Sequence, residues 1–181
     1  MDNLSQRLNT YSPSNRVPVF IHDELVIWDS LAICEYANEQ LLNDCALPKS
    51  VKARAYARSI SAEMHSGFAA LRNAMPMNIR AHRRVEIDAA VQKDLARIDQ
   101  IFSESRLRFA DHSPWLAGEF SIADCMFAPV ASRLKTYGVS LSTEAMEYVA
   151  MIHELPAMQC WIAAALLETE IVPEDEAGTD R

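Results

Sequence analysis

The chain has 181 residues, and its 17 Lys and Arg against 25 Asp and Glu give a formal net charge of −8 at pH 7. Half of the residues are hydrophobic, which is typical of a globular protein and not of a disordered or fibrous one. The length excludes a large multidomain enzyme, and the negative charge argues against general nucleic-acid binding. Six acids lie at or after Glu168, in a tail that we expect to be frayed and solvated.

The sequence lacks the motifs of several classes of protein. No apolar run approaches the roughly 20 residues that span a bilayer, and the first residues lack a secretory pattern, so we expect a cytoplasmic protein. Glycine-rich phosphate loops are absent, which argues against a nucleotide cofactor. The cysteines form no C-x-x-C motif and no metal-binding spacing, so we expect free thiols and no metal site. They are Cys34, Cys45, Cys125 and Cys160.

The first part of the chain has the composition of β structure followed by a helix. Residues 1–16 are polar and end in a loop sequence, after which 17–21 and 25–28 are short β-branched and aromatic runs that predict a hairpin. Pro18 lacks an amide hydrogen, so it must lie at a strand start or edge. Asp29 and Ser30 then open one helix over roughly 30–42, for which we expect the Ser30 hydroxyl as the cap. Residues 43–50 read as a linker.

After the linker every periodic segment is helical. Apolar residues spaced three or four apart from Ala53 to Met75 predict one long amphipathic helix that stops near Pro76, and a second runs from Ile87 to Phe102. The basic sequence at 80–84 between them predicts a solvated turn and an antiparallel helix pair; without interleaved aromatic residues it is a weak nucleic-acid motif.

The clearest local signal is a capping box formed by Ser121 and Asp124. The helix that it opens continues to Gly138, with Pro129 inside it. Two shorter helices follow, over roughly 143–152 and 156–168, and the second is expected to bury Trp161. The fold class is therefore α+β and mostly α, with the hairpin and its helix ahead of a helical domain.

The chain contains four stretches that carry a family resemblance: SPSNRVPVF at 12–20, LVIWDSLAI at 25–33 followed by Glu35 and Tyr36, FSIAD at 120–124 and LPAMQCW at 155–161. In this order they resemble the cytosolic glutathione transferase superfamily. The resemblance covers roughly residues 10–168, and a segment from Ser61 to Asn78 resembles a bacterial branch of it. It implies a partial thioredoxin-like, glutathione-binding domain over 1–42, a linker over 43–50, an all-helical domain over 51–170 and an acidic tail over 171–181.

The resemblance implies a glutathione site in the hairpin segment. A cis peptide bond between Val17 and Pro18 would present the backbone of Val17 to the cysteinyl part of the tripeptide. Ser30 would offer its hydroxyl and the helix N-terminus to the γ-glutamyl carboxylate, and Asp29 would accept from the ammonium group. For each, a purely structural role is the alternative, as a hairpin proline or a helix cap.

The family activates glutathione with a Ser, Tyr or Cys that lowers the pKa of its thiol, because the thiolate is the nucleophile. The first strand, helix and strand that carry this residue in the family have no counterpart here, so we expect the catalytic residue upstream of Met1. Ser5, Tyr11 and Ser12 precede the hairpin closely, and a structural or solvent role is the favoured interpretation for them.

The family binds its electrophile against the first long helix of the helical domain. Met64, Phe68 and Met75 are candidates to line that second-substrate site, because thioethers and aromatic rings suit varied apolar ligands. Their spacing favours the alternative, which is core packing. Asp124 is expected to be structural.

The function implied is the conjugation of the glutathione thiolate to a small electrophile, or a related reduction or isomerisation, by a homodimer with glutathione as co-substrate and no metal or nucleotide. The alternative is a catalytically inactive binding or interaction protein with the same fold. A stress-response or nucleic-acid regulator is a third class, which no basic surface favours.

Overall fold

The computed structural model describes residues 8–109 and 113–181. The chain divides into two compact units between Leu47 and Pro48. The first contains helical residues at 8–11, a β-hairpin and a longer helix, and the second is built almost entirely of helices. The predicted α+β, mostly helical fold class is confirmed.

The hairpin of the first unit pairs β1 (Val19–His22) with β2 (Leu25–Trp28) in antiparallel register, Val19 opposite Trp28. The strand begins two residues later than 17, because Pro18 has no N–H to give to a ladder. At the turn Asp23 has a φ of 53°, a left-handed conformation that Asp tolerates better than most residues.

The hairpin packs on α1 (Ser30–Leu41), which follows it directly. The rings of Phe20 and Tyr36 lie 6.2 Å apart, and His22 Nδ1 is 2.8 Å from the Tyr36 hydroxyl. Beyond α1, the side chain of buried Asn38 accepts from the Ala46 N–H at 2.8 Å and fixes the chain as it leaves the unit. A two-stranded hairpin is marginal alone in water, so these aromatic contacts are what stabilises it within its own unit.

The described residues of the second unit form six helices and a short antiparallel pair, β3 (Arg83–Arg84) with β4 (Thr179–Asp180). A single 3₁₀ turn over Pro173–Asp175 precedes β4. The helices, in chain order, are α2 (Val51–Ser66), α3 (Ala69–Ala74), α4 (Ala89–Arg108), α5 (Ile122–Tyr137), α6 (Thr143–Glu154) and α7 (Pro156–Leu167).

The single long helix predicted up to Pro76 is wrong, because the chain breaks between α2 and α3. Phe68 adopts a left-handed φ of 55° at the break. A Cβ on Gly67 would lie 2.7 Å from the Glu63 carbonyl oxygen, so only glycine fits this close approach. The apolar stripe survives the break, since Met64, Phe68 and Met75 are all buried.

The predicted antiparallel pair of long helices is confirmed by side-chain contacts between α2 and α4. Tyr56, near the start of α2, is 2.7 Å from the hydroxyl of Ser105, near the end of α4. Glu63, near the end of α2, forms an ion pair of 2.6 Å with Arg97 in the middle of α4. The Arg97 hydrogen bond lowers the pKa of the Glu63 carboxyl.

The predicted capping box is present at the start of α5. Its acidic residue, Asp124, also accepts hydrogen bonds from outside this helix. The carboxylate of Asp124 accepts from the backbone N–H of Ser121 at 2.9 Å and of Leu116 at 3.2 Å, and from the hydroxyl of Tyr148 at 3.1 Å. Asp124 is fully buried, and burial raises its pKa against the opposing effect of these hydrogen bonds. One carboxylate thus joins α5, α6 and the loop before them.

The acidic tail is not frayed, contrary to our expectation. Arg83 forms ion pairs with Glu176 at 2.6 Å and with Asp180 at 3.1 Å, and Arg80 donates to two backbone carbonyls of the tail. Hydrogen bonding from Asn78 and then from Arg83 lowers the pKa of Glu176. The basic sequence at 80–84 is therefore the surface on which the acidic tail folds back.

The last helix, α7, differs from the sequence expectation in its burial. Trp161, expected to be buried, is 45% exposed, and no residue of α7 is fully buried. Among residues 8–109 and 113–181 no single helix is long and apolar enough to cross a membrane, while α6 and α7 together meet the length and composition with a bend of 72° between them.

Removing the Asp124 carboxylate should destabilise the helical unit severely. Asp124→Ala leaves buried N–H and O–H donors without an acceptor, and each such group costs on the order of 1–3 kcal/mol. We expect a loss of about 3–4 kcal/mol in the free energy of unfolding, measured by urea denaturation. Glu119→Ala, at an exposed neighbouring position, is the control and should change it by less than about 0.5 kcal/mol. Equal effects of the two substitutions would contradict this account.

His153 should make the fold sensitive to mild acid. Burial lowers the pKa of its imidazole, with a further decrease from Lys135 and opposition from the Ala131 carbonyl. The folded state therefore binds fewer protons than the unfolded state. The stability that this provides is present above the ordinary pKa of histidine, about 6.5, and is lost as the pH falls below it.

The measurement compares the wild type with His153→Leu by urea denaturation between pH 7.5 and pH 5. We expect the stability of the wild type to fall more steeply with acid than that of the variant. The remaining histidines are common to both proteins, so the difference isolates His153. Parallel pH profiles would contradict the assignment.

Candidate functional site

The four residues predicted to bind glutathione meet at one end of the hairpin. Because Val19 pairs with Trp28, Val17 and Pro18 enter β1 at the end where β2 leaves for Asp29 and Ser30. The Val17–Pro18 peptide bond is cis, and Val17 is 72% exposed. The antiparallel register alone therefore brings together two segments that are separated in sequence by the whole hairpin.

Asp29, and not Ser30, caps α1. Its Oδ1 accepts from the N–H of Leu31 at 3.0 Å and from the N–H of Ala32 at 3.2 Å. The expectation that the Ser30 hydroxyl caps the helix is therefore wrong. Asp and Ser cap helices about equally well, so sequence preference could not separate these adjacent residues.

The backbone of Asp29 has an unusual conformation, with φ 83° and ψ 123°. Residues other than glycine rarely adopt a φ in this range, and such outliers concentrate at functional sites. The conformation turns the chain sharply from β2 into α1, so that the carboxylate of Asp29 faces the amides of the first helical turn.

Ser30 is the first residue of α1 and is half-buried. Within residues 8–109 and 113–181, its hydroxyl has no hydrogen-bond partner. It lies at the positive end of the helix dipole, where an anionic group is favoured. The site thus offers a hydroxyl donor next to a carboxylate, an arrangement suited to the zwitterionic end of an amino acid or peptide.

The residues considered as substitutes for a thiol-activating group have other roles or places. The buried hydroxyl of Ser12 donates to the carbonyl of Arg16 at 2.8 Å and accepts from its N–H at 3.0 Å, which is a structural role. Tyr11 is 58% exposed, and Ser5 lies outside the described residues. Burial, followed by nearby Glu35 and Asp29, raises the pKa of the Cys34 thiol, which disfavours a nucleophilic thiolate.

The candidates for a second-substrate site lie in the core of the helical unit. Met64, Phe68 and Met75 are each at most 7% exposed, and the ring of Phe68 contacts that of Phe127 at 6.4 Å between centroids. These observations favour the packing interpretation that the sequence left open. In the described part of the chain, no group of three His, Cys, Asp or Glu side chains is placed to hold a metal ion.

Each of the two units contains a match to a known protein family. The glutathione S-transferase N-terminal domain family matches residues 2–39, and the glutathione S-transferase C-terminal domain family matches residues 86–164. Together the two matches cover more than half of the chain. The fold and these matches define the class, and the chain belongs to the glutathione S-transferase superfamily.

The curated relatives are distant and carry different names. A probable maleylacetoacetate isomerase of Caenorhabditis elegans is 27% identical over 75% of this chain and 64% of its own length. Stringent starvation protein A homologs are each 24% identical, in Pasteurella multocida over 77% of this chain and 62% of the relative, and in Coxiella burnetii over 92% and 76%. The chain thus spans less than two thirds of the worm and Pasteurella proteins.

Solved structures agree on the fold. A glutathione transferase homolog from Burkholderia, solved with bound glutathione, has a TM-score of 0.65 at 24% identity, over 90% of this chain and 79% of the other. A theta-class glutathione S-transferase from Xanthomonas axonopodis, also with glutathione bound, has a TM-score of 0.62 at 20% identity, over 87% and 77%.

The capping assignment makes Asp29 and Ser30 separable by stability. Asp29→Ala should destabilise the first turn of α1 by about 1 kcal/mol because the amides of Leu31 and Ala32 lose their acceptor. Ser30→Ala should leave that turn unchanged. Amide hydrogen exchange of α1 measures both, with Asp29→Asn, which keeps a capping oxygen, as the control. Faster exchange in Ser30→Ala than in Asp29→Ala would show that the hydroxyl is the cap.

Proposed function

We propose that this chain binds glutathione at the end of the hairpin, and that the protein uses the glutathione thiolate on small electrophiles. The observation that carries the proposal is the start of α1. Asp29 caps the helix with its own carboxylate, and the Ser30 hydroxyl at the same helix end remains available for a ligand.

Each part of the tripeptide has a complementary group in this arrangement. The γ-glutamyl carboxylate accepts from the Ser30 hydroxyl at the positive end of α1. The neighbouring ammonium group is attracted to the Asp29 carboxylate, which also accepts from the amides of Leu31 and Ala32. The cysteinyl backbone pairs with the exposed main chain at Val17, as an added strand would.

The comparisons support this placement. The matched N-terminal domain family covers all four site residues, and two proteins of similar fold were solved with glutathione bound. The thiol-activating residue is not assigned in this chain, so the proposal gives these residues the binding of glutathione. Once glutathione is held, the chemistry consists of lowering the pKa of its thiol and bringing the thiolate to the electrophile.

The alternative is a binding protein of the same fold without transferase activity. The observation that favours it is that several relatives are named as starvation proteins and not as transferases. The two functions differ in turnover, not in the hairpin site. A homodimer, which the resemblance implies, and a cytoplasmic location belong to the same proposal.

The test is direct titration of glutathione into the protein by calorimetry. Ser30→Ala should weaken binding about tenfold or more, the effect expected from losing one hydrogen bond to a charged group. Because Ser30 is not the helix cap, this loss should occur without a change in the stability of α1. Glu24→Ala, in the exposed hairpin turn, is the matched control and should bind as the wild type does.

Two outcomes decide between the proposals. Equal affinity of the wild type and Ser30→Ala would remove the site. Binding that is lost in Ser30→Ala, together with no turnover of glutathione with an aryl halide or with maleylacetoacetate, would favour the binding protein over the transferase.

A further inference from the structure

The helical unit contains a small cavity that plays no part in the proposed glutathione site. Its volume is about 180 Å³, and its walls come from α5, α6, α7 and the segment between α3 and α4. The apolar part of the wall consists of Ile79, Ala81, Ile162 and Leu166.

One residue of the wall is a buried histidine without a partner. His153, on α6, is 7% exposed, and neither of its ring nitrogens completes a hydrogen bond. The carbonyl of Ala131 lies near enough to oppose the lowering of the pKa of the ring, but it does not meet hydrogen-bond geometry. Among the described residues, it is the only one with buried side-chain nitrogen or oxygen atoms left unpaired. Buried polar groups in native proteins are nearly always paired, and an exception requires an explanation such as an absent water or ligand.

The other polar groups of the cavity do not satisfy the imidazole. The hydroxyl of Ser132 donates to the carbonyl of Ala128 at 3.2 Å, and that of Thr136 donates to the carbonyl of Asn78 at 2.7 Å. Both hydroxyl hydrogens are therefore committed to the backbone. Rotation of the ring about its Cβ–Cγ bond exchanges the positions of nitrogens and carbons, so the imidazole can turn a nitrogen toward a ligand without moving the helix.

The ionisable groups that line the cavity differ in their exposure. Lys135 and His82 belong to the lining and are exposed, whereas His153 is buried. Burial lowers the pKa of His153, so at neutral pH its ring is an uncharged donor and acceptor. A complementary ligand has an anionic group for Lys135, an apolar body, and a hydroxyl that can both donate to and accept from an imidazole.

The volume of the cavity restricts the apolar body of the ligand to about one ring. An engineered apolar cavity of about 150 Å³ binds benzene, and this one is slightly larger. A benzene ring therefore fits in the cavity, whose lining offers His153 and Lys135 to its polar substituents.

We propose that this cavity binds a one-ring hydroxylated aromatic carboxylate, whose hydroxyl pairs with His153 and whose carboxylate faces Lys135. The site lies wholly within the helical unit and does not depend on glutathione binding. Its occupant supplies the hydrogen-bond partner that His153 lacks in the chain itself.

The experiment titrates the full chain with 4-hydroxybenzoate, with benzoate, which lacks the hydroxyl, and with phenol, which lacks the carboxylate. We expect saturable binding of 4-hydroxybenzoate and a change in the ring nitrogen chemical shifts of His153 on addition. His153→Leu should weaken 4-hydroxybenzoate about tenfold and leave benzoate unchanged, because the variant and the missing hydroxyl remove the same hydrogen bond. Lys135→Gln should weaken 4-hydroxybenzoate but not phenol.

Lys93→Gln, an exposed change on α4 outside the cavity, is the control and should have no effect. The proposal is overturned if 4-hydroxybenzoate shows no saturable binding at millimolar concentration. It is equally overturned if His153→Leu weakens benzoate and 4-hydroxybenzoate alike. Should His153→Leu fail to fold, the Lys135→Gln comparison decides, since equal weakening of phenol and 4-hydroxybenzoate would place the ligand elsewhere.

Discussion

The helical unit depends on a carboxylate that has been taken out of water and surrounded by donors. Asp124 accepts from the backbone at the start of its own helix, from the preceding loop at Leu116 and from the hydroxyl of Tyr148 on α6. Burial raises its pKa, and burial also raises that of Tyr148, with Asp124 adding to the increase. These contacts make the Asp124 side chain both a helix cap and a link between three segments.

In the hairpin unit, too, one acidic residue has two structural roles. Asp29 turns the chain from β2 into α1 and caps the helix that it opens. This division of roles leaves the hydroxyl of Ser30 for a ligand, at the helix end where anions are favoured. Asp29 therefore has the structural role, and the proposed binding role falls to Ser30, although a sequence pattern treats these adjacent residues as equivalent.

Charge organises the remaining surface of the helical unit. The chain carries a net charge of −8, and two acids of the tail, Glu176 and Asp180, form ion pairs with Arg83 of the basic sequence at 80–84. The same segment supplies Ile79, Ala81 and His82 to the wall of the His153 cavity. Folding of the tail and the shape of that cavity therefore involve the same stretch of chain.

The sequence by itself determined the features that are set within a few residues. The hairpin, the capping box at Ser121 and Asp124 and the apolar stripe from Ala53 to Met75 follow from residue type and period, which act locally. Tertiary structure decided the rest. The break at Gly67 depends on a close backbone approach, and the ordered tail depends on ion pairs more than 90 residues apart in sequence. The burial of His153 on α6 depends on the packing of α5 and α7 beside it. Such contacts leave no periodic signal, because the partners are brought together only when the chain has folded.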